Sequence, residues 1–212
     1  MIVIMRPHDS TNRETPHDLP LVAGLAAHFQ SALRLWRPAG SVLFREGERP
    51  SWMFYVRRGE VLMQRVTASG ALTVLQRTTG GFVAEGSLAN AAYFGEAVCR
   101  TDCLLFALPV ADLRAAIIHD EDCCWAWMEL LGAQLQRQRQ RVERLTLKTV
   151  RDRLAHLLVS ESQPDGSYKL CGTRMDLAAE LGVTPAALYR ELAALQADKL
   201  LVIEDSRWIW RG

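Results

Sequence analysis

Thr173-Arg174-Met175-Asp176-Leu177-Ala178-Ala179-Glu180-Leu181, then Gly182-Val183-Thr184, then Pro185-Ala186-Ala187-Leu188-Tyr189-Arg190-Glu191-Leu192-Ala193-Ala194-Leu195 reads as two helices on a three-residue turn. Each junction has a local cause. Thr173 with Asp176 forms a capping box with a shortened acid. Gly182 supplies the positive-φ residue that ends the first helix. Thr184 offers an N-cap hydroxyl, and Pro185 falls at the first helical position, where a missing N–H costs nothing. Ala178 permits close helix approach, while Leu177, Leu181, Val183, Leu188 and Leu192 supply a core. Two helices on a short Gly-bearing turn make the helix-turn-helix pattern.

Working outward, Leu200 to Ile203 and Arg207 to Trp210 flank a polar turn and read as a β-hairpin, a wing. Upstream, Thr149 to Ser160 is helical, a loop runs through Gly166, and Tyr168 to Cys171 reads as a short strand. Before that comes the clearest period in the chain. Cys124, Met128, Leu131, Leu135, Gln138, Val142 and Leu145 fall at spacings of 4, 3, 4, 3, 4 and 3. This a/d seam contains one polar residue, Gln138, and Arg137, Arg139, Arg141, Glu143 and Arg144 crowd the outer positions. A seam so narrow on so polar a helix suits a matching helix, hence a two-fold homodimer in which Gln138 fixes register. Packing of the stripe on its own domain is the alternative.

From Pro38 to Pro109 the texture is that of strands. The runs Ser41 to Phe44, Trp52 to Val56, Val61 to Val66, Ala71 to Gln76 and Leu104 to Leu108 are separated by turns at Gly47, Gly59, Gly70, Gly80-Gly81 and Gly86. Turn signals at such regular intervals predict an antiparallel barrel or jelly roll. Val110 to Ile118 reads as a short helix, and His119 to Asp122 offer N-cap chemistry to the long helix. Leu21 to Leu35 reads as a mildly amphipathic helix, after a polar tail. The expected organisation is therefore α+β: a tail over 1–20, a barrel domain over 21–118, a dimerisation helix over 119–148 and a winged helix-turn-helix over 149–212.

Charge narrows the partners. There are 25 basic and 24 acidic residues, so no overall field advertises nucleic acid or a membrane surface. From Thr149 onward basic residues number eight and acidic ones nine, so any attraction to phosphate depends on placement. No apolar run approaches the ~20 residues that span a bilayer, and Met1 to Arg6 lack the basic region of a signal peptide. A cytoplasmic protein is expected. The five cysteines (Cys99, Cys103, Cys123, Cys124, Cys171) have no C-x-x-C spacing, which leaves free thiols rather than a zinc or disulfide framework.

In this order the parts resemble the catabolite-activator / fumarate-nitrate-regulator (CRP/FNR) family over nearly the whole chain. The motifs that carry the resemblance are Pro38-Ala39-Gly40, Phe44-Arg45-Glu46-Gly47-Glu48, Phe54 to Val61, Phe82-Val83-Ala84-Glu85 with Ser87-Leu88, and Val150 to Ala155. The resemblance implies double-stranded DNA as partner, with RNA polymerase beside it, and entry of the helix from Pro185 into the major groove. Matching positions give Arg174 and Thr184 to backbone phosphates and Arg190 to base reading, with Pro185, Ala186, Ala187 and the wing residue Arg207 at the interface. Known members begin this helix with long polar readers, whereas this chain has Pro185, Ala186 and Ala187. Base reading then leans on Arg190, with Tyr189 reading, packing or touching phosphate.

The resemblance also implies an effector pocket at Glu85, Gly86, Ser87, Gly95 and Glu96, with Gln138 and Arg139. Cyclic-nucleotide binders of the family place Gly-Glu in the ligand-face turn and an Arg-Ser or Arg-Thr pair further on. Here these positions hold Ala84-Glu85 and Gly95-Glu96. A carboxylate where the phosphate-binding arginine belongs repels a cyclic nucleotide, so the effector is unknown and is not expected to be cAMP. The first 98 residues contain no cysteine, which removes the family's iron–sulfur cluster. Cys99 and Cys103 are expected on one strand, about 13 Å apart by strand rise and unable to bridge; Cys123 and Cys124 open the long helix and could meet symmetry mates. No cofactor and no metal are expected. A regulator with an unidentified input and a ligand-independent regulator with a vestigial barrel both stay open. A cupin-type enzyme needs clustered histidines, and Pro38 to Pro109 contain none.

Overall fold

The structure, a computed structural model, describes residues 32–170, 172–205 and 207–212. The expected tail and most of the helix expected over Leu21 to Leu35 lie outside these residues. The end of that helix is corrected: Leu33–Arg37 is a strand, β1. Its alternation buries Leu35 between exposed neighbours, which is the period of a strand.

Seven further strands follow: β2 (Val42–Phe44), β3 (Trp52–Arg58), β4 (Val61–Val66), β5 (Leu72–Thr78), β6 (Gly81–Val83), β7 (Glu96–Cys99) and β8 (Cys103–Pro109). They form two four-stranded antiparallel sheets of order β1-β8-β3-β6 and β2-β7-β4-β5, a jelly-roll arrangement. Inward residues of both sheets share one core, among them Phe44, Phe54, Val61, Met63, Ala97 and Leu105. Cys99 and Cys103 do not share a strand. Cys99 closes β7 and Cys103 opens β8 in the other sheet, so a turn brings the two thiols together. Burial first, and the neighbouring Cys103 thiol second, push the pKa of the Cys99 thiol up to about 12.

Helix α1 (Val110–His119) and the long helix α2 (Glu121–Thr146) follow. Asp120 Oδ1 accepts from the Cys123 amide at 3.1 Å and so caps α2. Cys123 and Trp127 are buried in a second core with Tyr55, Phe82, Phe106 and Leu113. Phe82 and Trp127 meet edge to face at 5.2 Å. Cys123 therefore faces the core rather than a symmetry mate, and burial pushes the pKa of its thiol up to about 11.

The chain divides into two compact units between Leu130 and Leu131, inside α2. The second unit contains α3 (Val150–Ser160), β9 (Ser167–Lys169), α4 (Arg174–Glu180), α5 (Pro185–Ala197), β10 (Leu201–Glu204) and β11 (Arg207–Trp210). Its three strands order as β10-β11-β9, so the hairpin is extended by a third strand. Leu154, Leu158, Leu177, Leu188, Leu195 and Trp208 form its core. Among the described residues no helix is long and apolar enough to cross a membrane.

Candidate nucleic-acid interface and ligand-face turn

The helix-turn-helix is built by its caps. Thr173 Oγ1 accepts from the Asp176 amide at 3.2 Å, and Asp176 Oδ2 accepts from the Thr173 amide at 2.8 Å. Thr184 Oγ1 accepts from the Ala187 amide at 3.2 Å, with Pro185 opening α5. Gly182 sits at φ +64, and a Cβ there would come within 3.1 Å of Leu145 Cδ2. Conformation and space both call for glycine.

Side chains then hold α5 against its supports. Arg151 donates from Nε to Glu191 at 2.6 Å and from Nη2 to Asp198 at 3.1 Å, joining α3 to α5. Arg153 donates to the Leu147 carbonyl at 2.8 Å and the Leu181 carbonyl at 2.9 Å, gripping the turn. Neither role was visible in the sequence, because an arginine on a helix reads as a solvated charge.

The outward face of α5 is sparse. Pro185, Ala186 and Arg190 are exposed, Ala187 is half-buried, and Tyr189 is 47% exposed. Arg190 has no hydrogen-bond or ion-pair partner among the described residues. The Arg174 guanidinium lies 5.7 Å from the centre of the Tyr189 ring, a cation–π contact that steadies it at the start of α4. Arg207 is engaged differently: its Nη2 donates to Asp165 at 2.8 Å. That carboxylate offsets part of the charge the wing can offer.

In the barrel unit, a 3-10 turn over Glu85–Ala89 follows β6. Ala84 enters it at φ 57 and ψ 38, a left-handed conformation rare for a residue with a Cβ. The Gln76 carboxamide closes this turn from within. Its Oε1 accepts from the Ala84 amide at 3.2 Å, and its Nε2 donates to the Phe82 carbonyl at 3.2 Å and to Glu85 Oε2 at 3.1 Å. Gly86 is exposed, whereas Ser87 is fully buried and its hydroxyl has no partner among the described residues. Glu96 accepts from Gln64 Nε2 at 3.3 Å and lies 3.9 Å from Arg45 Nε. A Cβ on Gly95 would stand 2.9 Å from the Gln64 carbonyl, so the backbone approaches closely there. Arg100, the nearest basic residue in sequence, lies 3.6 Å from Glu60, which Arg77 also binds. Gln138 and Arg139 belong to the other unit and remain expectations for the pocket. A cavity of about 260 Å³ opens elsewhere in the barrel, between Phe44, Arg49, Trp52 and Tyr93, and contains none of the expected effector residues.

The cyclic nucleotide-binding domain family matches residues 34–120, which run from β1 to the cap of α2. Among solved structures, FixK2 from Bradyrhizobium japonicum aligns with a TM-score of 0.67 at 18% identity, covering 85% of this chain and 93% of FixK2. The c-di-GMP responsive global regulator CLP from Xanthomonas campestris aligns at 0.62 and 22% identity, covering 89% and 98%. A transcriptional regulator of the CRP/FNR family from Thermus thermophilus aligns at 0.57 and 20% identity, covering 84% and 93%. The protein has the CRP/FNR fold. No curated protein matches it by sequence. Within the matched domain Glu96, expected from the sequence to stand where a cyclic nucleotide would meet an arginine, is a carboxylate that accepts from Gln64. Among the described residues no cluster of three His, Cys, Asp or Glu could hold a metal ion.

Proposed function

We propose that the protein is a homodimeric, sequence-specific DNA-binding transcription regulator rather than an enzyme, acting in the cytoplasm with double-stranded DNA and RNA polymerase as partners. The carrying observation is the outer face of α5, where Arg190 is exposed and has no partner among the described residues, on a helix whose start and supports are bonded. A free cation on a face it shares with Pro185, Ala186 and Tyr189 fits the major groove, where arginine reads guanine O6 and N7. Arg174, Thr184, Pro185, Ala186, Ala187 and Tyr189 form the rest of the contact, and Arg207 joins it from the wing.

Dimerisation is supported by the a/d stripe of α2. Met128, Leu131, Leu135, Val142 and Leu145 are 53%, 39%, 53%, 64% and 40% exposed, an apolar row that a second copy of the helix would cover. In the proposed organisation 119–148 is the dimerisation helix between a barrel over 21–118 and a DNA-binding domain over 149–212.

The effector is not cAMP. Bonding of Glu85 by Gln76 and of Glu96 by Gln64 supports a second reading, in which the barrel is ligand-independent and the regulator is controlled by its abundance. Selection of duplexes by the purified protein tests the regulator: a pseudo-palindrome with half-sites about 34–36 Å apart is expected. Recovery of no preferred sequence would refute it. In sedimentation, Leu135→Glu should convert a dimer to monomer, since two copies of the new carboxylate would be desolvated in one seam. Isothermal titration with cAMP should give no heat of binding.

A further inference from the structure

The outer positions of α2 include one residue that is not outer. Arg144, in its last turn, is 0% exposed. Its Nη2 donates to Glu161 Oε1 at 2.5 Å and its Nη1 to Glu180 Oε1 at 2.9 Å, while its Nε is buried with no partner among the described residues. Glu161 is the C-cap of α3 and Glu180 the last residue of α4, so one planar guanidinium joins three helices. The surrounding charges are Arg141 and Glu143 on α2 and His156 on α3, with Glu143 3.5 Å from His156. Arg153 closes the far side on the Leu181 carbonyl.

Pairing a fully buried guanidinium with carboxylates that are 34% and 38% exposed is a poor device for stability, because desolvation of the arginine offsets much of the attraction. Its well-attested use is to select one arrangement over near alternatives. Arginine is suited to this, since its rigid fork satisfies two carboxylates at fixed angles, whereas a lysine ammonium is a single flexible point charge. The cluster lies wholly within the second compact unit, which begins at Leu131 and so contains the last turns of α2 together with the winged helix.

We propose that Arg144 is a positioning residue: by bridging Glu161 and Glu180 it sets the winged helix at one angle to the end of the dimerisation helix, and thereby fixes the spacing between half-sites that the dimer accepts. This rests on the reading of the protein as a dimeric DNA-binding regulator. Its direct consequence is a narrow spacing preference that can be lost without loss of half-site recognition. Glu180 gives a second handle. Burial and the neighbouring Glu161 raise its pKa against the lowering effect of Arg144 and Arg141, so acidification should weaken this arm of the bridge before ordinary glutamates protonate.

The test uses the full-length protein and a duplex series in which the selected half-sites are moved apart or together by one and two base pairs, plus a single half-site duplex. Wild type should discriminate between best and one-pair-shifted spacing by tenfold or more. Arg144→Lys should lower that ratio at least threefold while half-site affinity stays within twofold. Lowering the pH from 7.5 to 5.5 should soften the wild-type ratio in the same direction, and should do so less in Glu180→Gln. If Arg144→Lys does not fold, Glu180→Gln at pH 7.5, which keeps the arginine and removes the charge of one anchor, is read by the same ratio. A spacing profile superimposable on wild type overturns the proposal, as does an equal loss on half-site and full-site duplexes, which would mark general structural damage. Failure of wild type to prefer any duplex would instead refute the regulator reading.

Discussion

The turn that follows β6 in the barrel and the outer face of α5 treat their polar groups in opposite ways. At the turn, the Ala84 amide, the Phe82 carbonyl and Glu85 all bond to Gln76, and Glu96 bonds to Gln64. On α5, caps and supports are bonded, but Arg190 is left without a partner among the described residues. A group satisfied inside its own protein must break those bonds to meet a ligand, so net binding energy is small. An exposed charge has only water to exchange. Apart from the buried Ser87 hydroxyl, which has no partner among the described residues, the turn engages its polar groups with its own neighbours, whereas α5 leaves Arg190 to solvent.

Arg190→Ala is the strongest way to break this comparison. If Arg190 reads a guanine, its removal should cost about 1–3 kcal/mol on the selected duplex and relax preference at one position of each half-site. Random DNA should be affected far less. Equal weakening on selected and random duplexes in a titration by fluorescence anisotropy would reduce Arg190 to a phosphate contact. Arg174→Ala, by contrast, should weaken all sequences alike and lower the salt dependence.

Gln76→Ala tests the other side. It removes three hydrogen bonds and leaves the Ala84 amide and the Phe82 carbonyl without the carboxamide, so the protein should lose about 1–3 kcal/mol of stability in urea unfolding. Half-site affinity should be unchanged if the ligand-independent reading holds. A variant as stable as wild type would mean that water replaces the carboxamide freely, and that the turn is open to ligands after all.

These two regions were not equally legible in the sequence. The capping box at Thr173 and Asp176, the glycine at 182 and the Thr184-Pro185 start are set by neighbours within four residues, and all three occur as read. The strands from β2 to β5 and β8 were also readable, because their alternation and turns are local. What failed involves pairing across the chain. Leu33–Arg37 is a strand only because β8 pairs with it. Cys99 and Cys103 fell on one expected strand because nothing in four residues marks the turn between two sheets. The role of Gln76 depends on β5 lying beside the exit of β6, and Arg144 sits at an outer heptad position that becomes an interior one only against α3 and α4. Helical period assigns a face to a residue; it does not say what covers that face.

The smallest expected effect sharpens the comparison by asking whether the winged-helix unit also contains polar groups held at a cost. Burial raises the pKa of Glu180 first, Glu161 second, and these outweigh the attraction of Arg144. A glutamate whose folded pKa exceeds its unfolded value stabilises the fold below the unfolded pKa, and that contribution is lost as pH rises through the folded one. At neutral pH the folded state therefore carries an ionised, partly desolvated carboxylate that a glutamine would not impose. Glu180→Gln should accordingly compare best with wild type at pH 7.5, and its Tm relative to wild type should fall as the pH is lowered toward the glutamate range, where wild type also becomes neutral. A relative Tm that instead rises on acidification would mean that the ion pair with Arg144 outweighs burial. Charge at Glu180 would then be a source of stability, and the module would have to be grouped with the barrel turn as a site completed by its own bonds.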